Sequence, residues 1–267
     1  MSSTMQPTST HSNKYWITTI TIFFFGWIFI YAGRMVFSPV MPEVGKDYGL
    51  DQATLGGIMS LFYLTYTLLQ VPSGILGDKI GRKRVLVGGF LLYAIFMAIV
   101  SFAPNYTTFI IFWMLAGAAQ GSFYGPQYAL SSEAIPKKWL AVGSAIIGSG
   151  MSFGIELGYN ISSIMTTKMD STWQAPFLVI SVPIFVVAIL MLIFIKEKAP
   201  GTEATLNTSE TVGDLAKKEE AGFAALFKNR NLIMAYITIF CSIYGFFVII
   251  TWLPTYLEQQ RGMDRVY

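Results

Sequence analysis

The sequence contains runs of apolar residues that are each long enough to cross a lipid bilayer. The hydrocarbon core of a bilayer is about 30 Å thick, and roughly 20 helical residues are needed to span it. Only a helix satisfies every backbone polar group of a single segment in lipid, so each run predicts a spanning helix. We predict seven such helices, over residues 15–41, 54–77, 85–102, 106–130, 140–165, 175–195 and 231–257.

The composition agrees with lipid as the solvent and excludes several classes of protein. Apolar residues make up 54% of the chain and charged residues only 12%. Cys241 is the single cysteine and His11 the single histidine, so neither a disulfide framework nor a cysteine or histidine metal cluster can form. No basic tract is typical of nucleic-acid binding. We therefore predict a protein that is not an enzyme, with the bilayer as a partner and with no metal, cofactor or nucleic acid.

The distribution of positive charge predicts an orientation. Loops rich in lysine and arginine remain in the cytoplasm, whereas acidic residues have little influence. With the N-terminus inside, thirteen basic residues fall in inner segments and four in outer ones, and Arg34 lies within a helix. We predict a multi-pass protein of the plasma or inner cell membrane with a cytoplasmic N-terminus.

A single long polar segment divides the predicted helices. It lies between Glu197 and Arg230 and has mixed charge and no sustained apolar face. We predict an all-α membrane protein with a cytoplasmic tail (1–14), a six-helix transmembrane bundle (15–196), a cytoplasmic linker (197–230) and the first helix of an incomplete second bundle (231–267). The fold is then six helices plus a seventh, truncated.

The most specific motif follows the second predicted helix. Residues 74–84 read GILGDKIGRKR, in which the defining positions are Gly74, Asp78, Gly81, Arg82 and Lys83. We call residues 74–84 the signature loop. Its glycines permit a tight turn and close helix approach, its aspartate is suited to capping a helix start, and its basic residues anchor the inner face.

This loop resembles the signature loop of the major facilitator superfamily. The resemblance implies a secondary active transporter with two six-helix bundles, between which a substrate is held while access alternates. It extends over the six predicted helices, the linker and the start of a second bundle. Transport would therefore require a C-terminal half that this sequence does not include.

The first predicted helix narrows the resemblance. Tyr31-Ala32-Gly33-Arg34, followed by Pro42, Leu50, Gly56, Gln70 and Pro72, is similar to the anion:cation symporter branch. That resemblance implies symport of a small organic anion with protons, in which Tyr31 and Arg34 contact the anion. Members of that branch often carry an arginine and a glutamate in the fourth helix, where this sequence has Trp113 and Gln120.

Two charged residues, Arg34 and Glu156, fall within predicted spans. A charge in a span costs a few kcal/mol unless it has a partner or faces water. We expect the two to form an ion pair in the empty state, with the anion replacing Glu156 when that residue is protonated. This exchange would make Glu156 the proton-coupling residue. The alternative is that Arg34 extends to the headgroups and Glu156 bonds to a neighbouring helix.

Uncharged polar residues recur at helical spacing in the fourth and fifth predicted helices. Gln120, Tyr124 and Gln127 share one face, and Ser149, Ser152, Glu156, Asn160 and Ser163 share another. Such stripes are suited to a cavity wall, although interhelical hydrogen bonding would explain them as well. Gly150, Gly154 and Gly158 lie on a different face and predict close helix packing. The predicted substrate-binding residues are Arg34, Tyr31, Gln120, Tyr124, Gln127 and Asn160.

Two other functions remain open from the sequence. The first is a drug or metabolite efflux antiporter of hydrophobic compounds, for which Arg34 would be dispensable. The second is a fragment that transports nothing itself and serves as a membrane partner of another half.

Overall fold

The computed structural model describes residues 15–197 and 230–263. These residues form helices, one short 3₁₀ turn at Lys137–Trp139, and no strand, which confirms the predicted all-α fold. The predicted tail 1–14 and almost all of the predicted linker lie outside the described residues. The helices are α1 (Tyr15–Met35), α2 (Phe37–Tyr48), α3 (Gln52–Ile80), α4 (Arg82–Ser101), α5 (Tyr106–Gln120), α6 (Tyr124–Ala134), α7 (Leu140–Thr167), α8 (Ala175–Phe194) and α9 (Arg230–Arg261).

Six helical stretches of the described residues are long and apolar enough to cross a membrane. The first combines α1 and α2, which follow one another so closely that the Val36 N–H still donates to the Ala32 carbonyl at 3.0 Å. The protein is therefore a multi-pass membrane protein. The six stretches are Tyr15–Tyr48, Gln52–Ile80, Arg82–Ser101, Lys137–Thr167, Ala175–Phe194 and Arg230–Leu253.

The fourth predicted span is not one continuous helix, so that prediction was wrong. The helix is interrupted between α5 and α6 at residues 121–123. There the Ser122 N–H donates to the Ala119 carbonyl at 3.2 Å, and the Phe123 N–H donates to the Gln120 carbonyl at 3.1 Å. These bonds join residues three apart, as in a 3₁₀ turn. Pro126 has no N–H to donate to a carbonyl four residues earlier, which removes a helical bond at this point.

A side chain from α3 compensates for part of this break. The Ser73 hydroxyl donates to the Gly121 carbonyl oxygen at 3.0 Å, and Ser73 is buried. An interrupted helix persists at membrane depth when other groups of the protein satisfy the backbone atoms that it frees. Packing of α3 against this turn therefore fixes where α5 ends.

Short polar signals set several helix ends. The Asp51 carboxylate accepts a hydrogen bond from the Thr54 N–H at 2.8 Å and caps α3, and Asn105 caps α5 in the same way through Thr108. Hydrogen bonds from Thr54, first from its side chain and then from its backbone, lower the pKa of Asp51. Gly49 closes α2 with a φ of 65°, a left-handed conformation that favours glycine.

Glycines on one face of α7 bring that helix against α1. A Cβ added to any of three glycines would lie within 2.6 Å of a carbonyl oxygen of α1. Substitution would thus push the two helices apart, which confirms the predicted close packing of small residues. The three glycines, with the carbonyls that they face, are Gly150 with Phe24, Gly154 with Ile28 and Gly158 with Ala32.

The chain divides into two compact units, residues 1–197 and 198–267. In the first unit, α1 packs mainly on α7, and α4 packs mainly on α8 and α5. Its interior is rich in aromatic side chains, and Phe62, Phe109, Trp113 and Phe177 are fully buried. In the second unit the described residues are those of helix α9 and the two residues that follow it, Gly262 and Met263.

Candidate functional site

Arg34 lies in the interior of the first span, where α1 leads into α2. Its side chain is only 1% exposed, so it does not extend to the membrane surface as the alternative interpretation would require. A buried guanidinium loses its hydration and must recover that free energy from its neighbours. The contacts of Arg34 therefore decide what this part of the bundle can do.

The hydrogen-bond partner of Arg34 is the side-chain amide of Gln120. The Nε of Arg34 donates to Gln120 Oε1 at 2.9 Å, and its Nη2 donates to the same oxygen. The Nε2 of Gln120 in turn donates to the Ile30 carbonyl at 3.1 Å. Gln120 is the last residue of α5. The point at which this helix ends therefore positions the Gln120 amide beside the Arg34 guanidinium.

Tyrosine rings surround the guanidinium. The Cζ of Arg34 lies 4.6 Å from the ring centroid of Tyr66, 4.7 Å from that of Tyr31 and 5.3 Å from that of Tyr63. These are cation–π distances, and such contacts contribute most where water is excluded. The Tyr31 and Tyr124 hydroxyls share a hydrogen bond of 2.9 Å, which joins this cluster to α6.

The charge of Arg34 has no carboxylate partner among the described residues. The two ion pairs found there both belong to Arg82, and the groups in contact with Arg34 are an amide and tyrosine rings. Amides and rings stabilise the cation through dipoles and quadrupoles but do not neutralise it. The cluster of Arg34, Gln120, Tyr31, Tyr63, Tyr66 and Tyr124, which we call the Arg34 site, therefore has a positive charge.

Glu156 lies elsewhere, and the expected ion pair with Arg34 is absent. Glu156 is exposed on the first unit, and its Oε1 accepts a hydrogen bond from Asn160 Nδ2 at 2.5 Å. The reason is the packing of α7, whose glycine face at Gly154 lies against α1 and turns Glu156 away from that contact. Of the predicted binding residues, Asn160 consequently contacts Glu156 and not the Arg34 site.

Gln127 also has a different place from that of Gln120. It is buried in α6, where its Oε1 accepts from Trp27 Nε1 at 3.2 Å and its Nε2 donates to Ser131 at 3.3 Å. The three polar residues of the predicted shared face all contact α1: Gln120, Tyr124 and Gln127. They do so even though the helix is interrupted between Gln120 and the other two. Gln127 holds Trp27 in place rather than contacting Arg34.

The signature loop is almost entirely helical. Gly74 and Asp78 lie in α3, Arg82 and Lys83 begin α4, and Gly81 alone separates the two helices with a φ of 109°. This left-handed backbone explains the glycine at the turn. The other predicted use of the glycines, close approach, is modest here: a Cβ on Gly77 would lie 3.5 Å from Pro126, an ordinary contact.

Arg82 joins three helix ends through its side chain. Its Nε lies 3.0 Å from Asp78 Oδ1 in α3, and its Nη1 lies 2.5 Å from Glu133 Oε1 in α6. The Glu133 side chain is 17% exposed, whereas that of Asp78 is 65% exposed. Desolvation strengthens a charged hydrogen bond, so the bond to Glu133 is the stronger of the two.

The start of α4 is capped by Glu197 and not by Asp78, so the predicted role of Asp78 was wrong. The Glu197 carboxylate accepts from the Arg82 N–H at 2.5 Å and from the Lys83 N–H at 3.0 Å. Asp78 sits in the last turn of α3, behind the turn at Gly81, where it pairs with Arg82 instead. A carboxylate at a helix N-terminus accepts hydrogen bonds from the free N–H groups there and interacts favourably with the helix dipole.

Sequence reasoning missed Tyr63, Tyr66, Glu133 and Glu197. Tyr63 and Tyr66 are three residues apart in α3, a spacing that places them on one helix face and that could have revealed them. Glu133 and Glu197 are 51 and 115 residues from Arg82 along the chain, and no local pattern links them to it.

Comparison with known proteins supplies relatives for this arrangement. The chain is 26% identical over 241 residues to a gentisate transporter of Corynebacterium glutamicum, covering 87% of this chain and 53% of that protein. It is 23% identical to a hexuronate transporter of Bacillus subtilis, covering 93% and 58%, and 24% identical to a niacin transporter of Acinetobacter baylyi, covering 92% and 61%. The chain thus spans little more than half the length of these relatives.

A family model describes most of the chain. The model of the Major Facilitator Superfamily matches residues 23–267, a range that includes the Arg34 site, the signature loop and α9. A match of this extent agrees with the resemblance noted in the signature loop. The chain therefore belongs to the Major Facilitator Superfamily.

Proposed function

We propose that this chain is part of a secondary carrier of a small organic anion, and that Arg34 binds the negative charge of the substrate. One observation carries the proposal: Arg34 is buried inside a span with no carboxylate near it among the described residues. An anion supplied by the substrate would neutralise the charge that the amide and the tyrosine rings leave in place.

The free energies favour this role over a structural one. A charge in a span costs about 3 kcal/mol even where it can reach the interface, and more when it is held deep. A neutral glutamine would make comparable hydrogen bonds without that cost. The relatives lend support, since gentisate, hexuronate and niacin, which their names give as transported compounds, are all carboxylic acids.

We further propose that anion transport is coupled to protons and that Glu156 is the residue that binds the proton. Glu156 is exposed on the first unit, in the body of the long helix α7, and it bonds to Asn160. Because it does not pair with Arg34, coupling would not operate by exchange of ion-pair partners. Protonation of Glu156 would instead remove a charge from the exposed face of α7, so that this helix could move past an apolar surface.

We also propose where the carrier lies and that it contains a second helical bundle. The carrier would lie in the cell membrane with its N-terminus in the cytoplasm, as the positive-inside rule indicates. Transporters of this type hold the substrate between two bundles that rock against each other, and we propose that the first unit forms one of the two bundles.

Uptake into proteoliposomes tests the anion site. Vesicles that contain the chain, together with its second half where one is encoded, would be given radiolabelled organic anions under an imposed pH gradient. We expect Arg34→Gln to lower the initial rate at least about tenfold, the loss expected for one charged hydrogen bond. Arg84→Gln is the matched control, because Arg84 is exposed and bonds only to the Ile80 carbonyl, at 3.3 Å.

Two results would contradict the proposal. Equal anion uptake by the Arg34→Gln variant and the wild type would remove the role of Arg34. Uptake or efflux of hydrophobic compounds that is indifferent to Arg34→Gln would instead favour an efflux antiporter. For coupling, Glu156→Gln should abolish the dependence of uptake on the pH gradient, and an unchanged dependence would rule Glu156 out as the proton carrier.

A further inference from the structure

We infer that the anion bound at the Arg34 site is an aromatic monocarboxylate. The inference rests on the proposed function, since it assumes that Arg34 binds the substrate. It goes further by giving the charge of the substrate and the nature of its body. Three features of the site carry it: the number of cations, the guanidinium nitrogen that is not bonded to Gln120, and the lining of the site.

The charge of the site fits a single carboxylate. Arg34 is the one basic residue of residues 15–197 that lies in the interior of a span. The other lysines and arginines of that range lie in the first or last turn of a helix or outside the helices. Since Gln120 is neutral, one negative charge balances the site. A second carboxylate would be buried without a counter-ion from this unit.

One guanidinium nitrogen of Arg34 is not bonded to Gln120. Gln120 accepts from Nε and Nη2 but not from Nη1. Rings of Tyr31, Tyr63 and Tyr66 lie within 5.3 Å of the Cζ of Arg34. A carboxylate is the acceptor that a guanidinium binds most strongly, so a ligand carboxylate at Nη1 would complete the hydrogen bonds of Arg34.

The surface beyond Arg34 is aromatic. The ring of Tyr124 lies 5.0 Å from that of Trp27 and 5.8 Å from that of Tyr66, both at steep angles, and Tyr128 follows at 6.4 Å. Tyr66 and Tyr124 are half-buried, and Tyr128 is 54% exposed, so a ligand can reach this wall. Aromatic side chains prefer edge-to-face or offset contacts with another ring, which a flat aromatic body can make here.

Several polar groups of the site are already bonded to one another. Both ends of the Gln120 amide are engaged, with Arg34 and with Ile30, and the Tyr31 and Tyr124 hydroxyls pair with each other. Gln127 likewise uses both ends of its amide. A sugar acid has several hydroxyl groups, each of which costs free energy when it is buried without a partner. The site is thus better suited to a ring than to a polyhydroxylated chain.

A set of matched ligands tests the inference on the wild-type chain. Titration calorimetry on the purified protein in lipid nanodiscs would use benzoate, cyclohexanecarboxylate, glucuronate, phthalate and benzamide. We expect benzoate to bind about fivefold more tightly than cyclohexanecarboxylate, because only benzoate offers a ring quadrupole. We expect it to bind at least about tenfold more tightly than glucuronate, which must desolvate its hydroxyls. Phthalate should bind more weakly than benzoate, and benzamide should not bind measurably.

Variants show whether the tyrosine wall is responsible. Tyr124→Leu should remove the preference for benzoate over cyclohexanecarboxylate, whereas Tyr124→Phe should keep it, because the ring remains. Tyr106→Leu is the matched control, since Tyr106 is half-buried like Tyr124 but lies at the start of α5, where its ring contacts that of Tyr48. Retention of the full preference by Tyr124→Leu would contradict the assignment of this wall.

The outcomes separate this inference from the proposed function. If glucuronate binds as tightly as benzoate and both require Arg34, the aromatic assignment is wrong and the anion site stands. If phthalate binds more tightly than benzoate, the single charge is wrong. If no carboxylate binds in an Arg34-dependent way, or benzamide binds as well as benzoate, the proposed function fails and the inference fails with it.

Discussion

Two arginines of this chain lie in contrasting surroundings. Arg82, at the turn between α3 and α4, is partly exposed and pairs with the carboxylates of Asp78 and Glu133. Arg34, inside the first span, is 1% exposed and is held by the amide of Gln120 and by tyrosine rings. The residue with the greater need for a counter-ion thus has none among the described residues.

The two arginines are suited to different roles. The charge of Arg82 is balanced within the protein, so its side chain serves to connect α3, α4 and α6. The charge of Arg34 is stabilised but not balanced among the described residues, and we propose that an anion from outside balances it. An acidic residue beside Arg34 would compete with such an anion, and no ion pair of Arg34 is found in the part of the chain that the structure describes.

The largest effect is expected when Arg34 is given the kind of partner that Arg82 has. Gln120→Glu would place a carboxylate on the Nε side of Arg34, and we expect the affinity for benzoate to fall about 100-fold because two anions would compete for one cation. Gln174→Glu adds the same charge at the start of α8 and should change the affinity less than about twofold. Titration calorimetry would measure both. Undiminished binding by Gln120→Glu would contradict our interpretation of the site.

Removing Arg82 should reveal a structural role. In Arg82→Gln the half-buried Glu133 loses this ion pair, and we expect the free energy of unfolding to fall by about 2 kcal/mol, the value of a charged hydrogen bond. Anion affinity at the Arg34 site should stay within about twofold of the wild-type value. Unfolding in SDS, followed by circular dichroism, measures the first quantity. A large loss of affinity with unchanged stability would reverse the roles that we assign to the two arginines.

Glu133→Gln probes the more buried carboxylate of Arg82. The amide oxygen of the new side chain can still accept a hydrogen bond, but the ionic part of the contact is lost. We expect a decrease of about 1 kcal/mol in the free energy of unfolding, half of that for Arg82→Gln. The same SDS titration measures it. A decrease larger than that of Arg82→Gln would show that Glu133 stabilises the protein mainly through other contacts.

Asp78→Asn should have the smallest effect. The Asp78 side chain is 65% exposed, so water already screens its pair with Arg82. We expect the free energy of unfolding to change by less than about 0.5 kcal/mol, as for most surface ion pairs. Should Asp78→Asn destabilise the protein more than Glu133→Gln, exposure would not be the factor that ranks these two carboxylates.

The sequence predicted the parts of this structure that depend on local pattern. Hydrophobic run length predicted six of the seven spans correctly, and helical spacing grouped Gly150, Gly154 and Gly158 on the face that packs against α1. It also singled out Arg34 and Gln120, which the structure joins by hydrogen bonds. Run length and helical spacing are properties of residues that are close along the chain, so the sequence alone reveals them.

The rest depended on packing between distant segments. The hydropathy pattern does not show that the helix ends before Gly121, because Ser73 of α3 completes the backbone hydrogen bonds there. Glu197 caps α4 only because α8 returns its end to that position. Arg34 and Glu156 were expected to pair because both are charged residues within predicted spans, yet a position in a span does not specify the face of a helix on which a side chain lies.

Benzoate titration of the wild type and of Arg34→Gln, with thermal unfolding of both, determines whether Arg34 binds the anion. We predict that Arg34→Gln lowers the affinity at least about tenfold while its unfolding temperature stays within a few degrees of the wild-type value, because the lost contacts offset the relieved burial of charge. Equal affinity in the two proteins would contradict the claim that Arg34 binds the anion.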